Sequence, residues 1–92
     1  MRKLTFRVHA ILKMFERGIS RDDVHHVIET GEVNRTYPDD TPYASQLVLG
    51  WRDERPLHVA AADNEIEDET IIITAYEPDA ALWEPDFRKK KD

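Results

Sequence analysis

Apolar residues recur at helical spacing near the start of the chain. They fall at i, i+4, i+7, i+8 and i+11, which are Leu4, Val8, Ile11, Leu12 and Phe15. This spacing puts side chains on one face of an amphipathic helix. Gly18 follows shortly after and is typical of a helix end. The pattern predicts a first helix from about Leu4 to Gly18 that packs on the core through this face.

The ends of a second helix are also visible in the sequence. Ser20 can cap a helix amino terminus through its hydroxyl, and Asp23, three residues on, completes an acidic variant of the capping box. Gly31 supplies a stop. The predicted buried edge of this helix consists of Val24, Val27 and Ile28. Since the link between the two helices is short, they are expected to form a helical hairpin.

After Gly31 the periodicity changes. Four runs rich in β-branched and aliphatic residues are typical of strands, at residues 33–37, 45–51, 56–62 and 70–76. Residues 63–69 separate the last two runs and form a strongly acidic loop. Helices followed by consecutive strands indicate an α+β fold. We therefore expect a helical hairpin packed on one face of a four-stranded, mostly antiparallel sheet.

The predicted domain organisation is simple. A chain of 92 residues supports one core, so residues 1–88 are expected to form a single α+β domain and residues 89–92 a frayed basic tail. The predicted core takes the apolar face of each element. Its members are Val8, Ile11, Leu12, Phe15, Val24, Val27, Ile28, Leu47, Leu49, Val59, Ile71 and Ile73.

Composition and charge narrow the possible functions. The chain has no cysteine, which excludes disulfide scaffolds, thiolate zinc sites and cysteine nucleophiles. Its net charge is −6, unlike that of a general nucleic-acid binder. Residues 1–31 hold six basic and four acidic residues, so a local basic face is still possible there. With no apolar run long enough to span a membrane, a soluble cytoplasmic protein is expected.

Three residues of the first helix carry the most informative candidate chemistry. His9, Lys13 and Arg17 are spaced at i, i+4 and i+8, which forms one polar row. Histidine can transfer a proton near neutral pH, and Lys and Arg can hold a phosphate. A metal-independent ribonuclease needs little more than these functions. The alternative is a solvated cationic face with His9 partly buried against the sheet.

Other polar residues are weaker candidates. Tyr76, at the end of the last strand, can stack a base or donate its hydroxyl to a phosphate, but it can equally cap the core. His58 alternates with apolar neighbours on the third run and is expected to be a satisfied surface histidine. His25 and His26 are adjacent and diverge around a helix, so we expect no metal site there. No cofactor is expected.

Taken together, the motifs resemble a family of small bacterial domains of unknown function. The motifs that carry the resemblance are His9-Ala10, Glu16-Arg17-Gly18-Ile19-Ser20, Gly31-Glu32, Leu47-Val48-Leu49-Gly50, Pro56-Leu57-His58-Val59, Thr74-Ala75-Tyr76-Glu77-Pro78-Asp79, Trp83 and Asp86-Phe87-Arg88. The family looks like a distant relative of RelE/ParE-type and BrnT-type toxins. That resemblance implies a helical hairpin followed by a sheet, and a possible metal-independent endoribonuclease acting on mRNA.

The resemblance also implies a partner and roles for single residues. The partner would be an antitoxin protein encoded nearby. Catalytic roles would fall to His9, Arg17 and Tyr76, and Lys13 would bind substrate. Two other functions stay open. One is a non-catalytic module of the same fold that binds a protein partner, and the other is a toxin that inhibits a protein target.

Overall fold

Two helices lie between the first strand and four consecutive strands. The computed structural model describes residues 3–91. Within that range the elements are β1 (Lys3–Phe6), α1 (Val8–Arg17), α2 (Arg21–Thr30), β2 (Glu32–Tyr37), β3 (Ser45–Arg52), β4 (Arg55–Asn64) and β5 (Glu69–Tyr76). The α+β class, the two helices and the four predicted strands are confirmed. Neither helix is long and apolar enough to cross a membrane.

The sheet differs from the prediction in its strand count. The residues described form a five-stranded mixed sheet in the order β1-β5-β4-β3-β2, in which β1 runs parallel to β5 and the remaining neighbours are antiparallel. The prediction of four strands was wrong because residues 3–6 were assigned to the first helix. Leu4 and Phe6 alternate with Lys3 and Thr5, and the two apolar residues pack against the core from a strand.

Helix α1 presents a different face to the sheet than its apolar pattern predicts. Its buried residues are Ala10 and Met14. Val8, Leu12 and Phe15 are 74%, 57% and 87% exposed, so their assignment to the core was wrong. The helix packs on β5 with Ala10 and Met14 buried, and Val8, Leu12 and Phe15 remain outside. The helix ends at Gly18, as predicted, with φ +66°.

Helix α2 agrees with the prediction in detail. The Ser20 hydroxyl accepts from the backbone N–H of Asp23, and the Asp23 carboxylate accepts from the backbone N–H of Ser20, each at 3.0 Å. This reciprocal pair is the predicted capping box. Val24 and Val27 are fully buried against the sheet. A Cβ at Gly50 would lie 2.9 Å from Val27 Cγ1, so β3 and α2 require glycine there to stay in contact.

The rest of the predicted core is partly confirmed. Val24, Val27, Leu47, Leu49 and Val59 are buried, and Ile11, Ile28, Ile71 and Ile73 are half-buried. Both helices pack on the same face of the sheet, through a core that includes Val48, Val59 and Ile72. The opposite face carries the alternate residues, including Leu49, His58 and Tyr76, which are neighbours across β3, β4 and β5.

The C-terminal segment, residues 77–91, covers one end of that opposite face. Trp83 is buried and forms a bridge with Lys90. Backbone N–H groups of Glu84 and Lys91 donate to the carbonyls of Lys89 and Leu82 at 2.8 and 2.9 Å. Residues 89–91 of the predicted basic tail turn back and pair with the segment around Trp83.

Candidate active site

A cavity of about 620 Å³ opens where the end of α1, the end of β5 and the C-terminal segment meet. It is lined by Arg17, Arg55, Tyr76, Glu77, Asp79, Leu82, Trp83 and Lys90. Three of these residues are cations and two are carboxylates. Two of them, Arg17 and Tyr76, were singled out from the sequence, and the fold brings them into the wall of the same cavity.

Arg17 is held by the last residues of β5, which have no neighbouring strand on the β1 side. Strand β1 ends at Phe6, opposite Ile72, so the last residues of β5 lie beyond its reach. There the Arg17 Nη1 donates to the Ala75 carbonyl at 2.9 Å and, more weakly, to the Thr74 hydroxyl at 3.4 Å. These contacts use one of the two terminal nitrogens. Arg17 also lines the cavity, where a guanidinium can bind an anion.

Tyr76 is held by a buried histidine. Nε2 of His58 lies 2.9 Å from the carbonyl oxygen of Phe87, and Nδ1 lies 3.1 Å from the hydroxyl of Tyr76. A carbonyl oxygen only accepts, so Nε2 carries the proton of the neutral ring. Nδ1 is then the acceptor, and the Tyr76 hydroxyl donates to it. The two hydrogen bonds therefore run in one direction: Tyr76 donates to His58, and His58 donates to the Phe87 carbonyl.

The surroundings shift the pKa of both rings. Burial lowers the pKa of His58 below its ordinary value; the bond to the Phe87 carbonyl opposes this shift, and the charge of Arg35 adds to it. Burial raises the pKa of Tyr76, as does the hydroxyl of Tyr37, while Arg35 and Arg17 oppose the rise. At neutral pH the pair is therefore an uncharged phenol beside an uncharged imidazole. The unprotonated ring nitrogen, Nδ1, accepts the hydrogen bond of the phenol.

Aromatic packing fixes His58 in place. Its ring is fully buried and meets the Trp83 ring edge-on, with centroids 4.5 Å apart, and the Tyr76 ring at 5.3 Å. The Trp83 ring also lies beneath two cations, Arg35 at 5.9 Å and Lys90 at 5.8 Å from its centroid. The C-terminal segment thus supplies both the cover over His58 and a further positive charge at the cavity.

Arg55 lines the cavity and connects the end of α1 to Glu77. Its Nη1 and Nη2 donate to the carbonyls of Gly18 and Arg17, at 3.0 and 2.9 Å, and its Nε donates to Glu77 at 2.9 Å. The guanidinium therefore satisfies free carbonyls at the carboxyl end of α1, which a helix cannot satisfy itself. Because all three nitrogens are engaged, Arg55 has a positioning role and holds the backbone of Arg17 in place.

The other two sequence candidates lie elsewhere on α1. His9 is exposed and is not among the residues of the described range that line the cavity. Lys13 is also outside that lining; its Nζ lies 3.4 Å from a carboxylate oxygen of Glu16. The row of three predicted from helical spacing is therefore split: only Arg17, at the helix end, reaches the cavity.

Sequence reasoning missed the most informative side chain of the site. His58 was expected at the surface, yet it is fully buried. The available signal was the pair of aromatic residues late in the chain, Trp83 and Phe87, which need an apolar surface to pack on. Within residues 3–91, no group of three His, Asp or Glu side chains is arranged to hold a metal ion.

Comparison with known proteins gives the family. The sequence model of a domain of unknown function, DUF4258, matches residues 6–77, which are 72 of the 92 residues. The chain belongs to this family. The matched region contains α1, Arg17, His58 and Tyr76, and it ends just before the C-terminal segment that covers His58. No curated protein and no solved structure matches the chain significantly.

Proposed function

We propose that the chain is the toxin-like component of a bacterial toxin–antitoxin pair and cleaves mRNA without a metal ion. The observation that carries the proposal is a cavity lined by both Arg17 and Tyr76. The Tyr76 hydroxyl is hydrogen-bonded to the buried, neutral His58. The helical hairpin followed by four strands is the part of the structure that agrees with the resemblance to RelE/ParE-type and BrnT-type toxins, and β1 is an addition to it. The protein acts in the cytoplasm, where mRNA and an antitoxin encoded nearby are available.

The proposed reaction uses the ribose 2′-hydroxyl as nucleophile. Its oxygen forms a bond to the adjacent phosphorus while the bond to the 5′-oxygen breaks, which leaves a 2′,3′-cyclic phosphate and a 5′-hydroxyl. The 2′ proton passes to the Tyr76 oxygen as the Tyr76 proton moves to Nδ1 of His58. The departing oxygen takes a proton from water, and His58 later returns its proton to solvent. Proton transfer of this kind typically contributes about 10²–10⁴ in rate.

Charge at the cavity suits a phosphate. Although the chain carries a net charge of −6, the cavity is lined by Arg17, Arg55 and Lys90. Glu77 is paired with Arg55, which leaves Arg17 and Lys90 as cations and Asp79 as the remaining carboxylate, so the lining carries one net positive charge. Charge that develops on the phosphate oxygens as the new bond forms is stabilised by such preorganised donors. In this mechanism Arg17 binds the phosphate and Lys90 assists.

We place the proton-transfer role on His58 in this mechanism. His58, and not His9, contacts Tyr76, so His58 takes the place that the helical row suggested for His9. Lys13 likewise has no part in this mechanism. These two residues of α1 therefore serve as internal controls, since they carry the same functional groups outside the cavity.

Growth of a bacterial host tests the proposal. Induced expression of the wild-type chain should arrest growth, and co-expression of the gene next to it should restore growth. Tyr76→Phe and Arg17→Lys should each abolish the arrest while the protein accumulates in folded form, and His9→Ala and Lys13→Ala should keep it. Arrest by all four variants would contradict the assignment of the site, and normal growth with wild type would contradict the toxin proposal.

A second function has support of its own. Strand β2 lies at the edge of the sheet, and all of its residues except Asn34 are exposed. An open edge with Val33 and Tyr37 exposed can pair with an extended strand of a protein partner. A non-catalytic binding module would use this edge, and its partner would still bind Tyr76→Phe and Arg17→Lys variants normally.

A further inference from the structure

The outer surface of α1 carries an apolar stripe made of Val8, Leu12 and Phe15. These three side chains are 57–87% exposed, although their spacing is that of a packed helix face. Together they expose on the order of 400 Å², comparable to the largest apolar patches on monomeric proteins, which are often functional. The stripe is separate from the proposed catalytic cavity.

Polar residues flank the stripe asymmetrically. Successive helical residues turn by about 100°, so Leu12 lies opposite the buried Ala10 and Met14. Val8 and Phe15 lie on one side of Leu12. His9 and Glu16 lie on the other side, seven positions apart, and both are exposed. The outward face of α1 therefore has an apolar row, Val8 and Phe15, beside a polar row. The polar row has the His9 imidazole at one end and the Glu16 carboxylate at the other.

This arrangement is self-complementary. We propose that α1 packs antiparallel against α1 of a second copy of this chain, around a two-fold axis at Leu12. The midpoint of Val8 and Phe15 and the midpoint of His9 and Glu16 both fall within half a residue of position 12. A two-fold axis there brings Val8 against Phe15 of the other copy, His9 against Glu16 of the other copy, and the two Leu12 side chains together.

Charge fixes the direction of the pairing. Antiparallel helices place each imidazole beside a carboxylate, twice per dimer. Parallel helices around a two-fold axis would place His9 and Glu16 against the apolar row of the other copy, which is unfavourable. The bond between Glu16 and Lys13 within one chain does not prevent the new contact, because it is an exposed pair at 3.4 Å and contributes little.

Area sets the expected strength. A standard interface buries about 800 Å² per partner. The stripe supplies about half of that, and the rest comes from the flanking side chains. An interface of this size is typical of weak association, so we expect a dimer that dissociates on dilution.

Cross-linking tests the axis directly, because the natural chain has no cysteine. Leu12→Cys introduces one thiol on the proposed axis, and a short bismaleimide should join two copies in high yield. Ile66→Cys is the matched control, since Ile66 is 92% exposed in the turn between β4 and β5. Equal cross-linking of the two variants, or none in either, would overturn the proposal.

Sedimentation equilibrium tests the contacts. Leu12→Glu should weaken association by about tenfold or more, and Ile66→Glu should leave it unchanged. His9→Glu and Glu16→Lys should each weaken it by about fivefold, and the double variant should restore it, since an acidic side chain at position 9 then faces a basic one at position 16 of the other copy. A wild type that stays monomeric at all concentrations, or a double variant weaker than both single variants, would show that this face does not join two copies and would leave it to a different protein.

Discussion

The hydroxyl of Tyr76 and Nδ1 of His58 lie 3.1 Å apart, with the hydroxyl as donor. Strands β4 and β5 place the two residues directly opposite each other in the antiparallel register. The Phe87 carbonyl fixes the tautomer of the ring from the other side. The relationship is therefore built by the sheet and locked by the C-terminal segment, and the proposed proton transfer depends on both.

Removing the Tyr76 hydroxyl distinguishes its role in RNA cleavage from the role of its ring in packing. Tyr76→Phe keeps the ring contact with His58 but removes the relay, so RNA cleavage should fall by about 10²–10⁴. Stability should fall by about 1–3 kcal/mol because Nδ1 of buried His58 loses its donor. Cleavage assays and thermal unfolding measure the two effects. Tyr43→Phe is the control: it removes a hydroxyl outside the cavity lining that accepts from Asn64 at 3.0 Å, so it should lower stability to a similar extent and leave cleavage unchanged.

Stability should depend on pH through His58. Burial lowers the pKa of the folded state below the unfolded value of about 6.5, so the unfolded chain binds more protons as the pH falls below that value. Stability should therefore decrease from about pH 6.5 down to the lowered pKa of the folded state. Denaturant unfolding of His58→Gln should show a shallower pH dependence than wild type in that window. A steeper decrease in His58→Gln would contradict the sign.

Charge at the end of α1 should matter more than charge in its middle. Arg17→Met removes the guanidinium of a residue that lines the cavity, and cleavage should fall by about 10²–10³, as for the loss of one electrostatic donor. Lys13→Met is the matched control, because it removes a cation of the same helix outside the cavity. The ratio of the two cleavage rates is the measurement, and a ratio near one would remove Arg17 from the mechanism.

Truncation within α1 distinguishes its two faces. Met14→Ala should destabilise the fold by about 2–5 kcal/mol, because Met14 is only 3% exposed. Leu12→Ala should cost less than about 1 kcal/mol at low protein concentration, because Leu12 is 57% exposed. Unfolding midpoints in denaturant measure both. The opposite order would mean that α1 faces the sheet through its apolar stripe.

The sequence predicted three of the four helix ends, missing the start of α1, and it predicted the buried face of α2 but not that of α1. Caps are local: Ser20 and Asp23 bond to each other across one turn, and Gly18 needs only its own φ. The face of α1 is a tertiary property: the helix packs on β5 with Ala10 and Met14 buried. The apolar stripe Val8, Leu12 and Phe15 has the correct period for a buried face but lies outside.

The site was predictable only in part, for the same reason. Arg17 and Tyr76 lie at element ends that the sequence located well. His58 could not be recognised because its partners are distant in the chain: Phe87 lies 29 residues away and Tyr76 lies 18 away. The strand β1 was missed because four residues with apolar members at alternate positions also fit the start of a helix.

The end groups of the cleaved RNA test the central claim most directly. A single-stranded RNA labelled at its 5′ end is incubated with purified wild type in excess EDTA, and the products are analysed by mass spectrometry. The proposed mechanism predicts fragments ending in a 2′,3′-cyclic phosphate, no cleavage at a position carrying a 2′-deoxyribose, and at least about a hundredfold slower cleavage by Tyr76→Phe. Cleavage of the deoxy position, or equal rates for the two proteins, would contradict it.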